Sequence, residues 1–290
     1  MDSNQPPTDH RSKFLRHFSF FVFVIISLSG GSLFAGVLVA PTVVVLSERD
    51  RTGRLTVQNP SERPKEVSIL INFGLPTSDS AGNVQVRLQD SAITDPRSAV
   101  GWVKAFPEKF VLSPGGSQVV RFRATPPGQL PDGEYWARIV VRSQEGEVSI
   151  PAPSDSGKIS TKLNMILQTA IMLKYRTGTL ISKLEVLNTD VKYTDSAVQT
   201  TIQFANRGNV SYVGTLKCQL LSSDGKVISV DKIDLAVYSE LVRRVKLPIR
   251  GQDLKKPFKV EVSISTSGRT DIPPEDLIKG NSIEYSTIID

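Results

Sequence analysis

Residues 159–176 read ISTKLNMILQTAIMLKYR, and one parity of the stretch is apolar almost throughout. Ile159, Leu163, Met165, Leu167, Ile171, Leu173 and Tyr175 share it, while Lys162, Asn164, Gln168, Lys174 and Arg176 take the other. A two-residue period is the mark of a strand, whose successive side chains point to opposite faces. At about 3.3 Å per residue the strand would run roughly 55 Å, about three times the usual length. One small sheet is too short to cover so long an apolar face, so part of it is expected to meet a partner. A long edge strand with alternate apolar side chains is an aggregation hazard that proteins keep mainly where strand pairing is used.

Upstream, the same alternation recurs in shorter pieces at Leu38–Leu46, Arg54–Val57, Val67–Phe73, Trp102–Phe106, Lys109–Leu112, Val119–Arg123 and Tyr135–Arg142. Pro41 cannot donate to a ladder and marks a sheet edge or a kink between sheets. Ser113-Pro114-Gly115-Gly116 and Pro131-Asp132-Gly133 read as turns, and 143–158, rich in Ser, Gly, Pro and acidic residues, reads as a flexible loop. Downstream, Thr177-Gly178 is a short linker. Seven more strands follow, at Leu184–Leu187, Val198–Phe204, Leu216–Leu221, Val227–Val230, Leu241–Leu247, Phe258–Ile264 and Ile283–Ile288. Asn206-Arg207-Gly208-Asn209 and Asp224-Gly225-Lys226 supply turn residues that tolerate positive φ, and 271–280 reads as a surface loop at the far end of this half. Short strands punctuated at this spacing predict sandwiches. The fold class is therefore all-β: two immunoglobulin-like β-sandwich domains in tandem after a signal peptide, with divisions at 1–35, 36–176 and 177–290.

The leader expectation rests on Arg11, Lys13 and Arg16 ahead of the apolar run Phe18–Leu28, with Ala35 as the last residue removed. That run falls short of the ~20 apolar residues a membrane-spanning helix needs. Both histidines of the chain, His10 and His17, lie inside the leader. The mature chain then has no Ser/His/Asp triad, no Cys/His pair and no histidine metal site, and no phosphate-binding glycine loop is present, so an enzyme is not expected. No metal and no cofactor is called for. The net charge of +6 is dispersed, and short basic groups such as Arg243-Arg244-Lys246 are interrupted by apolar residues, which argues against nucleic acid. Cys218 is the single cysteine, so no intrachain disulfide exists; placed between Leu216 and Leu220, it reads as a small buried hydrophobe. Asn209-Val210-Ser211 has the form of a glycosylation acceptor but is better explained as a turn. Trp102 and Trp136 read as packing residues, an exposed Trp136 being the sign of a contact surface.

The order FVLSPGGSQVVRFR (110–123), LPDGEYWARIVV (130–141), a loop, and LNMILQTAIMLKYR (163–176) resembles the PapD-like periplasmic chaperones of the chaperone/usher pilus pathway. The resemblance covers roughly residues 37–176, and its most specific part is the run from Leu167 to Arg176 just before a domain junction. It implies a periplasmic, ATP-independent assembly factor that lends its long strand to a pilin-like or surface-fibre subunit lacking its own last strand. Leu163, Met165 and Leu167 take the matching donor positions, with Ile159 and Thr161 as extensions. The family's carboxylate-anchoring arginine and lysine are not matched: Thr42 and Met172 stand in those places, and Lys174 is the candidate substitute anchor. Whether an outer-membrane usher takes part is left open. The competing reading is a structural or adhesive surface protein of the same fold, its long strand pairing within its own domain or between copies.

Overall fold

The computed structural model describes residues 36–89, 95–145, 165–194, 196–249 and 256–289. The expected leader, residues 146–158 of the expected loop, and Ile159, Thr161 and Leu163 lie outside the described residues. Among the described residues, eleven strands precede residue 178: β1 (Leu38–Ala40), β2 (Val43–Ser47), β3 (Thr52–Gln58), β4 (Lys65–Asn72), β5 (Pro76–Ser78), β6 (Val84–Val86), β7 (Val103–Phe106), β8 (Lys109–Leu112), β9 (Ser117–Ala124), β10 (Gly133–Glu145) and β11 (Ile166–Thr177). They build a four-stranded sheet, β1-β3-β9-β7, facing a five-stranded sheet, β2-β11-β10-β4-β8. The alternation decides what lies between them. Leu55, Val57, Val120 and Phe122 enter from the first sheet, Ile139, Val141, Leu173 and Tyr175 from the second. Trp102 closes this core edge-on against Tyr135 and Tyr175.

Seven strands follow among the described residues: β12 (Leu184–Thr194), β13 (Ala197–Asn206), β14 (Tyr212–Leu221), β15 (Val227–Val237), β16 (Glu240–Pro248), β17 (Phe258–Ser265) and β18 (Ile283–Ile289). Sheet β12-β13-β16 packs on sheet β15-β14-β17-β18, and Ile202, Phe204, Leu216, Phe258 and Val262 fill the space between. Among the described residues the helical pieces are two three-residue turns, and no helix is long and apolar enough to cross a membrane. Cys218 is fully buried in the second core, and burial, with Asp231 nearby, pushes its thiol up to about 12. The folded protein is therefore expected to stay unlabelled by a maleimide at mildly alkaline pH and to be labelled as it unfolds. Labelling at the rate of a free thiol would mean that this core opens locally.

Thr200, on the inward parity of β13, is fully buried and its hydroxyl has no hydrogen-bond partner among the described residues. A buried unsatisfied hydroxyl costs about 1–3 kcal/mol. Thr200→Val keeps the shape and removes the orphan oxygen, so it should raise stability by about 1 kcal/mol, read as a higher denaturant midpoint with an unchanged slope. An unchanged midpoint would mean that water reaches the hydroxyl.

Four local readings are refined by the structure. The stretch Leu38–Leu46 takes the kink between sheets that Pro41 allows: β1 pairs with β3 in one sheet, and β2 pairs with β11 in the other. The expected loop starts later than Ser143, because β10 continues to Glu145 alongside β4 and β11. In the Asn206–Asn209 turn no residue needs positive φ; Gly208 is there because a Cβ would strike the backbone of Ile181. Gly225 does need it, at φ 82°. The segment 271–280 is not at the far end of its half: Ile272 is buried, and the Asp271 carbonyl accepts from Thr42 Oγ1 at 3.4 Å, beside β2 of the first sandwich.

Two further contacts tie the halves together. The β5–β6 hairpin, not anticipated from sequence, leaves the first sandwich and lies along β16, an edge strand of the second. The Val242 N–H donates to Ser78 Oγ at 2.7 Å, and Val84 packs against the second core. It covers an edge that would otherwise be free to pair. At the other contact Gly133 has φ 134°, and a Cβ there would lie 2.5 Å from the Asn209 carbonyl oxygen, so only glycine admits this approach of two backbones. The Glu134 N–H donates to that carbonyl at 2.9 Å.

Candidate strand-pairing edge

β11 has one neighbour along its whole length and a second along only part of it. Ile166–Thr177 pairs antiparallel with β10, from Gln144↔Ile166 to Gly133↔Thr177. On the other side β2 runs parallel to Met172–Arg176 only. The strand that would extend β2 across from Ile166–Ile171 is β1, which has crossed to the other sheet at Pro41. Half of β11 thus presents a row of backbone groups with no partner strand on that side among the described residues. Gly36 lies close to it, 3.2 Å from Leu167 Cδ1 as measured to the place of its missing Cβ.

Side chains on this half also leave the core. Ile171, Leu173 and Tyr175 are buried, but on the same parity Thr169 is exposed, Leu167 is half-buried and Met165 is 53% exposed. The apolar stripe therefore outlasts the sandwich it belongs to. On the opposite parity Ile166 is 48% exposed and lines an open groove of about 550 Å³ with Phe110, Val111, Arg142 and Gln144. Of the expected donor positions, Met165 and Leu167 are described, and both stand at this open end.

Lys174 sits elsewhere, on the outward face of the same sheet where it meets the second sandwich. It is almost completely buried. Its amino group lies 3.3 Å from Glu134 Oε1 and donates to Ser211 Oγ at 2.6 Å. Arg176 Nε reaches Glu134 Oε2 at 2.9 Å, and Glu134 also accepts from Ser211 Oγ at 2.5 Å and from Trp136 Nε1 at 2.7 Å. Burial alone would raise the Glu134 pKa, but Lys174, Arg176 and the hydrogen bonds from Ser211 and Trp136 together hold it below the usual carboxylate range. An internal carboxylate thus occupies the lysine that sequence singles out as an anchor. Thr42 and Met172 are also engaged: Met172 packs with Phe73, Trp136 and Tyr238. Trp136 is buried, edge-on against Tyr238 of the second half, so its contact surface lies within the chain. Asn209 serves the turn, accepting from Ile181 N–H at 2.7 Å and donating to the Thr179 carbonyl at 2.8 Å.

Sequence reasoning did not find Glu134 or Ser211. Glu134 sits in a turn-like Asp-Gly-Glu context and carries no periodic signal, and Ser211 becomes polar glue only because the halves meet there.

No protein-family model matches the chain, and no curated protein matches it. Among solved structures it is similar to the YadV chaperone, at 16% identity and a TM-score of 0.43 over 87% of this chain and 99% of that one. It is similar to the Pseudomonas aeruginosa CupB2 chaperone at 16% identity and a TM-score of 0.40, over 87% and 100%. It is also similar to a chain of the Salmonella enterica SafA pilin in complex with the SafB chaperone, at 12% identity and a TM-score of 0.42, over 88% and 98%.

Proposed function

We propose that this chain is an exported, periplasmic, ATP-independent chaperone that keeps an incomplete fibre or pilin-like subunit soluble by lending it the open half of β11. The observation that carries the reading is the combination at Met165–Ile171. Among the described residues, backbone groups stand without a partner strand on one side, and the apolar stripe continues past the end of its own core. A subunit missing a strand has the complementary need: a row of unpaired backbone groups beside an apolar groove. Strand addition satisfies both at once, with main-chain bonds giving affinity and alternate side chains filling pockets. The donor residues are Met165 and Leu167, continued upstream by Leu163, Thr161 and Ile159. With Lys174 held by Glu134, the grip rests on strand pairing and not on a cationic anchor for a carboxylate. Holding a subunit in this way needs no nucleotide, and release would follow exchange of β11 for another strand.

The test is to express the full-length chain with a C-terminal tag in its native organism, purify it through a salt wash and identify what stays bound. One strand-deficient subunit at one to one is the expected result. A partner-free protein whose amides at 166–171 are fully protected from hydrogen exchange would overturn the reading in favour of a structural surface protein.

A further inference from the structure

The outward face of sheet β1-β3-β9-β7, on the side of the first sandwich away from β11, carries a concentration of positive charge that linear sequence hides. On β9, Val120, Phe122 and Ala124 point into the core, so Arg121 and Arg123 point out. Arg54 is outward on β3, between buried Leu55 and half-buried Gly53. On β7, Lys104 and Phe106 are outward, alternating with buried Val103 and Ala105. The register sets Arg121 directly opposite Arg54 on one side and Phe106 on the other, and Arg123 directly opposite Lys104. The remaining outward positions of these strands are Leu38, Ala40, Thr52, Thr56, Gln58, Ser117 and Val119, with no carboxylate among them. Within the described residues none of the four cations makes an ion pair.

Like charges directly opposite on neighbouring strands sit about 4.5–5.5 Å apart at Cβ and are destabilising. The sheet holds two such pairs side by side, next to a phenylalanine that is 76% exposed and a valine, Val119, that is 43% exposed. Neither feature helps the sandwich fold, and together they describe a surface with a use. Outward residues along β9 are about 6.8 Å apart, the spacing of alternate side chains in an extended peptide. A guanidinium fork matches a carboxylate in two-point geometry. Exposed acids at Asp50 and Glu108, two residues beyond Thr52 and Phe106, bound the patch and disfavour a broad anionic membrane surface. We propose that this face docks an extended acidic segment of a partner protein, Arg54, Arg121, Arg123 and Lys104 taking its carboxylates and Phe106 an apolar side chain between them. The site belongs to the opposite sheet from β11, so it is independent of strand lending and open while a subunit is held.

The probe is a fluorescent peptide alternating glutamate with threonine and phenylalanine, titrated against the full-length chain by anisotropy. Binding should be measurable at low ionic strength and collapse at roughly 1 M salt, where the screening length falls to about 3 Å. Arg121→Glu and Arg123→Glu should each weaken it about tenfold or more, and Phe106→Ser should weaken it too. Met165→Arg should leave it unchanged. Folding supplies a control with a sign: Arg121→Glu places opposite charges face to face with Arg54, so its melting midpoint should hold or rise while binding is lost. The proposal fails if the peptide does not bind. It also fails if reversing Arg244 on the second sandwich costs as much as reversing Arg121, or if the loss comes with a lower melting midpoint. Binding of phosphatidylglycerol vesicles in place of the peptide would overturn it in favour of a membrane.

Discussion

Glu134→Gln is expected to destabilise the protein by about 3–5 kcal/mol, the cost of breaking a buried ion pair by removing one partner. The residue is fully buried on β10 and is the shared acceptor for Lys174, Arg176, Ser211 and Trp136. Glutamine keeps the volume and one acceptor oxygen but leaves two buried cations close together without their paired carboxylate, Asp276 being the acid that still faces them. Breaking a buried pair by removing one partner is costly for that reason, whereas replacing the whole group by apolar side chains is often close to neutral. Lys174→Met in the Glu134→Gln background should therefore recover part of the loss, although it removes a further polar contact to Ser211. The pH dependence has a definite sign. Because the folded pKa of Glu134 lies below its unfolded value, its contribution is fully present above the ordinary glutamate pKa of about 4.3 and is lost as pH falls through the folded value. The wild type should thus show a steeper acid limb than Glu134→Gln, the two stability curves converging at low pH. Chemical denaturation across that range checks it, and a difference under about 1 kcal/mol at neutral pH would mean that water reaches the cluster and screens it.

This cluster also marks where sequence stops being informative. Period-two alternation located the strands of both sandwiches because it reports only which face each side chain takes, and a strand settles that locally. Pro41 was legible as a break since proline has no N–H to give a ladder. The β5–β6 hairpin was not: Pro76–Ser78 and Val84–Val86 are too short to alternate visibly, and what stabilises them is the edge of β16, more than 150 residues away. The apolar stripe of β11 was legible for the opposite reason, its alternation running on past the buried stretch Ile171–Tyr175 to exposed Met165. The role of Lys174 was not legible, because a lysine reads the same whether it awaits an outside carboxylate or already holds an inside one. Only the fold brings Glu134 and Ser211 to it. The basic face was hidden likewise: Arg54, Lys104, Arg121 and Arg123 lie on three strands spread over 70 residues, and register alone makes them neighbours.

Met165→Arg is expected to abolish capture of a subunit without unfolding the protein. The same change at a core position of this strand, Leu173, would bury a charge and unfold the first sandwich, so position on one strand separates binding from folding. Met165 is more than half exposed and belongs to the inward parity only after the core has ended. An arginine there can point its charge to water in the free protein and loses that water only when a subunit groove closes over it. Burying one such apolar side chain contributes about 1.5–3 kcal/mol, and Met165 and Leu167 together about 3–6, or roughly two to four decades of affinity. Met165→Arg forfeits its own share and adds the cost of desolvating a guanidinium, so retention of the subunit through a salt wash should be lost entirely. Met165→Ala, which forfeits only the apolar contact, should retain a fraction. Leu167→Arg is expected to do both kinds of damage, since Leu167 is half-buried against Gly36: capture lost and the melting midpoint lowered. The measurements are recovery of the copurifying subunit and the thermal midpoint for each variant. Full capture by Met165→Arg would remove this end of β11 from the interface. Global unfolding by it would mean that the stripe is core after all and that the open edge is closed from within the chain.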